Sequence, residues 1–418
     1  MLRSILLTLG FVVVWTLAVI GVVLVEAAWF AEPDIVRGDF SSIKRHLDST
    51  LQEAASSRKL GAAAMSLIQN GEIVFDRAYG YADADASTPV NDEQTLFQVG
   101  SVSKAVTAFG VMKLVQENKL SLDEPVIDRL KRWRFAGSDE RRNKITIRQL
   151  LSHTAGVADP DGYIGFAPGG QVESVDDYLG GVRITRDPGT AFMYGNAATA
   201  VLQVLIEDIT GETFPEYMAD SVLRPLGMTN STFDFEVASG RLAPAFDSNV
   251  DPQPPRRHSI PGAVALYTSG RDLGRFAQAL GGANAVLNEG SMQSMTRPVA
   301  ETGGSWGLGL ALFAENDAGG HVLGHDGGAQ PSWGAMVRFN PATRNGMVIV
   351  ISGGRGAANQ LSHDWVYWET GKLTFEARRQ VVYGRVRTAA LLIGLGIVLI
   401  CFLGIVRHRT ASSIKPQS

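Results

Sequence analysis

Apolar positions recur along this chain with two different periods, and the periods sort it into strand-forming ends and a helical middle. Ile43, Leu47 and Leu51 share one stripe and predict a helix over 39–57. Residues 62–81 read as a hairpin, with alternating apolar positions from Met65 and Leu67 to Ile73 and Phe75 around an Asn70-Gly71 turn. Val102, Ala105, Val106, Phe109, Met112 and Val115 predict a buried helix with Ser101 at its start. A short helix closed by Gly156 is expected within 145–156, and an amphipathic helix through Val201, Leu202, Leu205 and Ile209 stops at Gly211. Further helices are expected at 215–228 and 266–280, separated by an exposed, proline-rich and basic loop at 251–261. Strand signals resume at 307–312, 321–324, 333–339 and 346–352, and 356–368 can form a closing helix.

Strands at both ends and helices between them imply an α+β fold: one antiparallel sheet assembled from distant parts of the chain. The expected domain covers 39–375, with sheet parts 39–96 and 299–375 and a helical part 97–298.

Two stretches depart from this pattern. Residues 4–25 and 389–406 contain no charged side chain, and each is long enough to cross a hydrocarbon core of roughly 30 Å. Both are expected to be transmembrane helices. For the first, a cleaved signal peptide is the alternative, because Val25-Glu26-Ala27 resembles a cleavage site. Arg3 precedes the first span while Glu26, Glu32 and Asp34 follow it, which predicts a cytoplasmic N-terminus. Arginines flank the second span on both sides, so the first decides the orientation. The central domain is then expected outside the cytoplasm, tethered to the plasma (inner) membrane.

Composition narrows the function classes. The 418 residues carry a net charge of -4 with a pI near 6.0, which leaves no basic footprint for nucleic acid. The lone Cys401 excludes internal disulfides and cysteine-based zinc sites. His321 and His325 have a metal-like spacing, but the glycine between them and their strand pattern argue against a zinc pair. No metal or cofactor is expected.

The residues with chemical potential form three clusters. Ser101 and Lys104 lie three apart and share one face at the start of a helix, where unpaired N–H groups favour a developing negative charge. A hydroxyl, an amine and an anion-stabilising helix end are the parts of acyl transfer. Ser-x-x-Lys also occurs at Ser41/Lys44, Ser56/Lys59 and Ser412/Lys415, and the plain reading of Ser101 is a helix cap. Tyr194-Gly195-Asn196 follows an Asp187-Pro188-Gly189-Thr190 turn, and alone reads as an aromatic and a cap. Gly324-His325-Asp326-Gly327-Gly328 is placed at the end of a strand, where small residues admit a ligand to the backbone.

Taken in order, these motifs resemble the serine hydrolases related to class C β-lactamases, penicillin-binding DD-peptidases and their esterase relatives. The resemblance covers residues 44–373. It rests on Phe97-x-x-Gly-Ser-x-x-Lys104, Leu150-Leu-Ser-His-Thr-x-Gly156, Pro188-Gly-Thr with Tyr194-x-Asn196, Pro225-Leu-Gly-Met228 and His325-x-Gly327. It implies that Ser101 is an acyl-forming nucleophile and that Lys104 and Tyr194 share general-base work. It also implies that Asn196 orients Lys104 and a substrate amide, and that the amides of Ser101 and Gly328 hold an oxyanion. His153 is expected to be structural, fixing a helix end near the site.

Two departures bear on the substrate. The third element usually carries a lysine and a hydroxyl residue that bind a substrate carboxylate. Here His325 would be only partly charged, and Asp326 would repel a carboxylate if it faced the site. Gln330-Pro331-Ser332 also lacks the glycine expected after the proline. The reading is therefore a membrane-anchored hydrolase of small esters or amides. Its alternatives are a penicillin-binding DD-peptidase or β-lactamase, or a non-catalytic sensor that keeps the penicillin-recognising fold.

Overall fold

The computed structural model describes residues 35–374 apart from 84–87, 136–138, 168, 248, 250 and 331, together with Trp15 and isolated positions between 390 and 400. The chain divides into two compact units, Val36–Lys372 and a second made of Met1–Ile35 with Leu373–Ser418. The expected membrane spans at 4–25 and 389–406 lie almost wholly outside the described residues. No helix among the described residues is long and apolar enough to cross a membrane.

Six helices and six strands position the site. They are α1 (Phe40–Ser56), β1 (Ala62–Gln69), β2 (Glu72–Gly80), α2 (Val102–Gln116), α3 (Ile147–Leu151), α4 (Ala197–Thr210), α5 (Gly270–Ala279), β3 (Ala311–Glu315), β4 (His321–Ala329), β5 (Trp333–Asn340), β6 (Asn345–Ser352) and α6 (Arg355–Thr370). The strands form one antiparallel sheet in the order β2-β1-β6-β5-β4-β3, so the N-terminal hairpin is completed by the C-terminal strands. Asn70 and Gly71 both take positive φ, 54° and 88°, as a two-residue hairpin turn between right-twisted strands requires.

Side-chain alternation gives the sheet two buried faces. Ala62 and Ala64 of β1, Ala335 and Val337 of β5 and Val348 and Val350 of β6 join the large core shared with α2, α4 and α5. Met65, Met336, Ile349 and Ile351 point the other way, toward the face where α1 and α6 pack with Leu47, Leu51 and Trp365. Helix α2 runs through the middle of the larger core, and all but three of its residues are buried. Its polar positions bond to the segment before α5: Thr107 Oγ1 donates to Gly262 O (2.8 Å), and Ser103 Oγ accepts from Leu266 N (2.8 Å).

The structure corrects four of the sequence expectations. Helix α3 is only five residues long: a Thr146/Gln149 capping box opens it and His153, at φ 58°, ends it, while Gly156 serves the turn beyond. Tyr267–Thr268 is a strand paired with Phe97–Gln98, so the next helix begins at Gly270, after Ser269 caps it. The strand expected at 307–312 starts at Ala311. Finally, β4 continues to Ala329, so the third chemical cluster lies inside a strand rather than at its end.

β3 pairs with β4 only as far as Gly324, which leaves the outer edge of β4 beyond that point without a strand partner. The segment leading into α2 packs there. A Cβ on Gly327 would lie 1.9 Å from Val99 O, and one on Gly100 would lie 2.5 Å from Gly328 O. The missing side chains are what allow backbone to meet backbone at this point. Replacing Gly327 by Ala should therefore lower the unfolding free energy by about 2 kcal/mol or more, since the obstacle is main chain. Gly356→Ala in α6, where a Cβ meets nothing within 4 Å, serves as the control and should be neutral or stabilising. Denaturant unfolding of the two variants checks this.

Candidate active site

Ser101 stands immediately before α2 but does not cap it; its side chain makes no capping hydrogen bond. The hydroxyl is instead engaged by Lys104, one turn on, whose Nζ lies 3.0 Å from Ser101 Oγ. Nζ also donates to Asn196 Oδ1 (2.8 Å) and to Ala263 O (2.9 Å). These last two partners can only accept. A neutral amine has two N–H groups to satisfy them, and its lone pair is then left to receive the Ser101 proton. Burial pushes Lys104 down to about 7, against the opposing pull of the Asp159 charge. The geometry and the protonation state therefore agree on a base.

Tyr194 approaches from the turn before α4. Lys104 Nζ lies 5.2 Å from the centre of its ring. Burial pushes the phenol up to about 12, with a bond to Ser101 working the other way. The residue as a whole is 42% exposed. A phenol held this firmly is a proton donor at neutral pH. The sequence reading expected Lys104 and Tyr194 to share general-base work; the two groups differ in the direction of their shifts, Lys104 down and Tyr194 up.

Asn196 likewise precedes a helix without capping it by its side chain. Asp159 performs that task, accepting from Asn196 N and Ala197 N, both at 2.7 Å. The sequence reading missed Asp159; its only signal there is an Asp-Pro turn shortly after the Leu-Leu-Ser-His-Thr motif.

The third cluster is divided between the two faces of the sheet. His325, 3% exposed, faces Tyr194 and Trp306, with ring centres 6.2 and 5.1 Å away. Its Nδ1 lies 2.7 Å from Asp326 O, which can only accept, so Nδ1 carries the proton and Nε2 is an acceptor. Burial, helped by the nearby Lys104, pushes the imidazole down to about 4. His325 is thus neutral rather than partly charged.

Asp326 departs further from expectation. It lies on the α6 face, where Arg338 Nη1 donates to its Oδ1 at 2.5 Å while Nη2 donates to Ser362 Oγ at 3.0 Å. The carboxylate is paired and turned away from Ser101, so it is not a substrate-binding group. Gly327 and Gly328 do reach the site, and the contact of Gly100 with Gly328 brings the Ser101 and Gly328 segments together.

An aromatic wall, mostly unanticipated, closes one side. Trp306 packs against His153, Phe192 and Tyr194 with ring centres 5.2, 5.7 and 5.5 Å away. His153 ends α3 as expected, yet its ring also lies 4.6 Å from that of Tyr194, and burial keeps it uncharged. On the opposite side of β4, the Arg355 guanidinium occupies the space a Gly328 side chain would take. No cluster of three metal-ligating side chains occurs among the described residues.

Comparison with known proteins agrees with this fold. A family model described as Beta-lactamase matches residues 47–372. Esterase EstB of Burkholderia gladioli is 27% identical over 353 residues, covering 73% of this chain and 88% of EstB. An octameric penicillin-binding protein homologue from Pyrococcus abyssi superposes with a TM-score of 0.64 at 23% identity, over 78% of this chain and 77% of that one. EstCE1, a hydrolase with promiscuous acyltransferase activity, gives 0.63 at 21% identity over 78% and 98% of the two chains. At these identities the two structures speak for the fold alone.

Two outcomes follow from the electrostatics. Labelling of the chain by a fluorophosphonate should slow about tenfold per pH unit below neutrality as Lys104 takes up its proton. Lys104→Arg, which cannot lose its charge, should abolish labelling at every pH. Asp326→Ala should lower stability by about 2–3 kcal/mol, because it leaves the fully buried Arg338 unpaired. Chemical unfolding reads the second, and a smaller loss for Asp326→Asn is expected.

Proposed function

The chain belongs to the beta-lactamase family of serine hydrolases, and on that footing we propose a membrane-anchored enzyme that cleaves small esters or amides outside the cytoplasm through an acyl-enzyme. The observation that carries the proposal is the Lys104 amine, buried between one hydroxyl and two obligate acceptors. Ser101 Oγ attacks the substrate carbonyl carbon while Lys104 Nζ takes its proton. The oxygen that becomes negative is held by the N–H groups of Ser101 and Gly328. Tyr194 gives its phenolic proton to the departing alkoxide or amine and recovers one from Lys104. A water molecule then enters by the reverse relay and releases the acid, restoring the serine.

The neutral His325, which offers no positive charge, favours substrates without a carboxylate beside the scissile bond. The similarity to an esterase supports the same choice. The match to a family model described as Beta-lactamase favours a second reading, a penicillin-binding DD-peptidase or β-lactamase that takes carboxylate-bearing substrates.

The tether is supported by the ends of the folded unit. Trp368 Nε1 donates to Val36 O at 3.2 Å, so the two ends of the folded unit lie side by side, which suits a unit tethered at both ends.

The deciding experiment uses the full chain in detergent and its Ser101→Ala variant. Each is assayed against a short-chain nitrophenyl ester, a chromogenic cephalosporin and a D-alanyl peptide. Turnover of the ester alone, lost in Ser101→Ala, is the expected result. Cephalosporin or peptide turnover moves the assignment to the second reading, and stable acylation without turnover identifies a sensor. Full activity in Ser101→Ala would remove Ser101 from the mechanism.

A further inference from the structure

Among the described residues, Asp159 is a carboxylate that touches the machinery proposed above, through the backbone of Asn196. It follows the aromatic wall's His153 by six residues, in the loop after α3. Its Oδ1 accepts from Asn196 N and Ala197 N at 2.7 Å each, and Oδ2 accepts from Asn196 N at 3.0 Å. α4 is 14 residues long, and its first free amides thus end on a negative charge supplied from another part of the chain.

The neighbouring residues are shaped around that carboxylate. A Cβ on Gly195 would lie 2.7 Å from Asp159 Oδ1, so a side chain between Tyr194 and Asn196 would displace it. Tyr178, packed nearby, has its phenol raised first by burial and then by the Asp159 charge. Because Asp159 caps α4, the Asn196 side chain is free for other work, and its Oδ1 receives Lys104 Nζ at 2.8 Å.

We propose that Asp159 is a positioning residue of the acylation site: it ties down the amides of Asn196 and Ala197 so that Asn196 can hold Lys104, and it stations a negative charge across from that amine. The proposal rests on the acyl-enzyme reading above. The charged and titratable groups around Lys104 and Tyr194 are Asp159, His153 from the end of α3 and His325 from β4, with Asp326, paired with Arg338, on the far face of that strand. Among them Asp159 is the charge that favours the protonated lysine against burial.

Two consequences can be separated. Asp159→Asn keeps an oxygen to accept the helix amides but removes the charge. Lys104 should then lose its proton more easily, and the acid limb of the labelling profile should move to lower pH. Simple loosening of the site would do the opposite, since water reaching Lys104 restores its ordinary high proton affinity. Asp159→Ala removes both the charge and the cap, and should also lower the plateau rate.

The test follows labelling of the full chain in detergent by a fluorophosphonate from mildly acidic to mildly basic pH. For Asp159→Asn the acid limb should move down by about half to one pH unit. For Asp159→Ala the plateau should fall on the order of tenfold, as expected for a misplaced base. An Asp159→Asn profile that superimposes on the original, or shifts upward, overturns the proposal, as does a full plateau in Asp159→Ala. Thermal unfolding identifies an Asp159→Ala chain that has not folded, in which case the Asp159→Asn profile decides. Ser101→Ala run in parallel separates the two levels: labelling that persists there overturns the acyl-enzyme reading itself, and this inference with it.

Discussion

The structure depends on keeping one amine dry and fully bonded. A lysine in water near pKa 10.4 is a poor base at neutral pH, and only burial removes that handicap. Burial alone would leave a costly unpaired group. Lys104 meets both demands because Asn196 Oδ1 and Ala263 O absorb its two N–H groups and Ser101 occupies the third direction. Much of the fold follows from that requirement. Helix α2 has to be enclosed on nearly every side, so the chain inserts a helical region between the two halves of its sheet. The segment before α5 has to run alongside α2 to offer the Ala263 carbonyl.

The sheet contributes a bare edge. β3 stops short, and glycines at 100 and 327 let the approach to α2 lie directly on β4. This contact fixes Ser101 relative to Gly328 through main chain, which has less freedom than side chains. Rigidity of this kind is what a pre-organised oxyanion site requires, since its donors must stand ready before charge develops. The stable hairpin strands and the α1 and α6 layer stand behind that edge and hold it.

How legible this was depended on whether the information was local. The Asn70-Gly71 turn, the α2 apolar run and the stop at Gly211 are local signals, and each has its counterpart in the structure. So are the Ser-x-x-Lys and Tyr-x-Asn motifs, which the fold does bring together at Lys104. Asp159 and Trp306 were not legible, because each acquires meaning only from partners far along the chain. The plain reading of two residues as helix caps fails for a related reason. Ser101 and Asn196 occupy cap positions in sequence, but tertiary partners claim their side chains, and in the second case a distant carboxylate replaces the local one.

Asp326 illustrates a subtler limit. Written as a string, His325-Asp326-Gly327 is a single motif, and its members read as parts of one site. A strand alternates its side chains between two faces, so adjacent letters cannot share one. Placing the cluster at the end of a strand concealed this, since irregular backbone would have allowed all three to converge. Once β4 runs on to Ala329, parity decides the matter: His325 goes to the face with Lys104, and Asp326 goes to the face with Arg338 and Ser362. The residue that looked like a barrier to anionic substrates is therefore half of an ion pair on the far side of the sheet. What distinguishes this site from one built around a cationic third element is the uncharged His325 acceptor. Any preference against carboxylates must come from the absence of a positive charge there, and not from repulsion by Asp326.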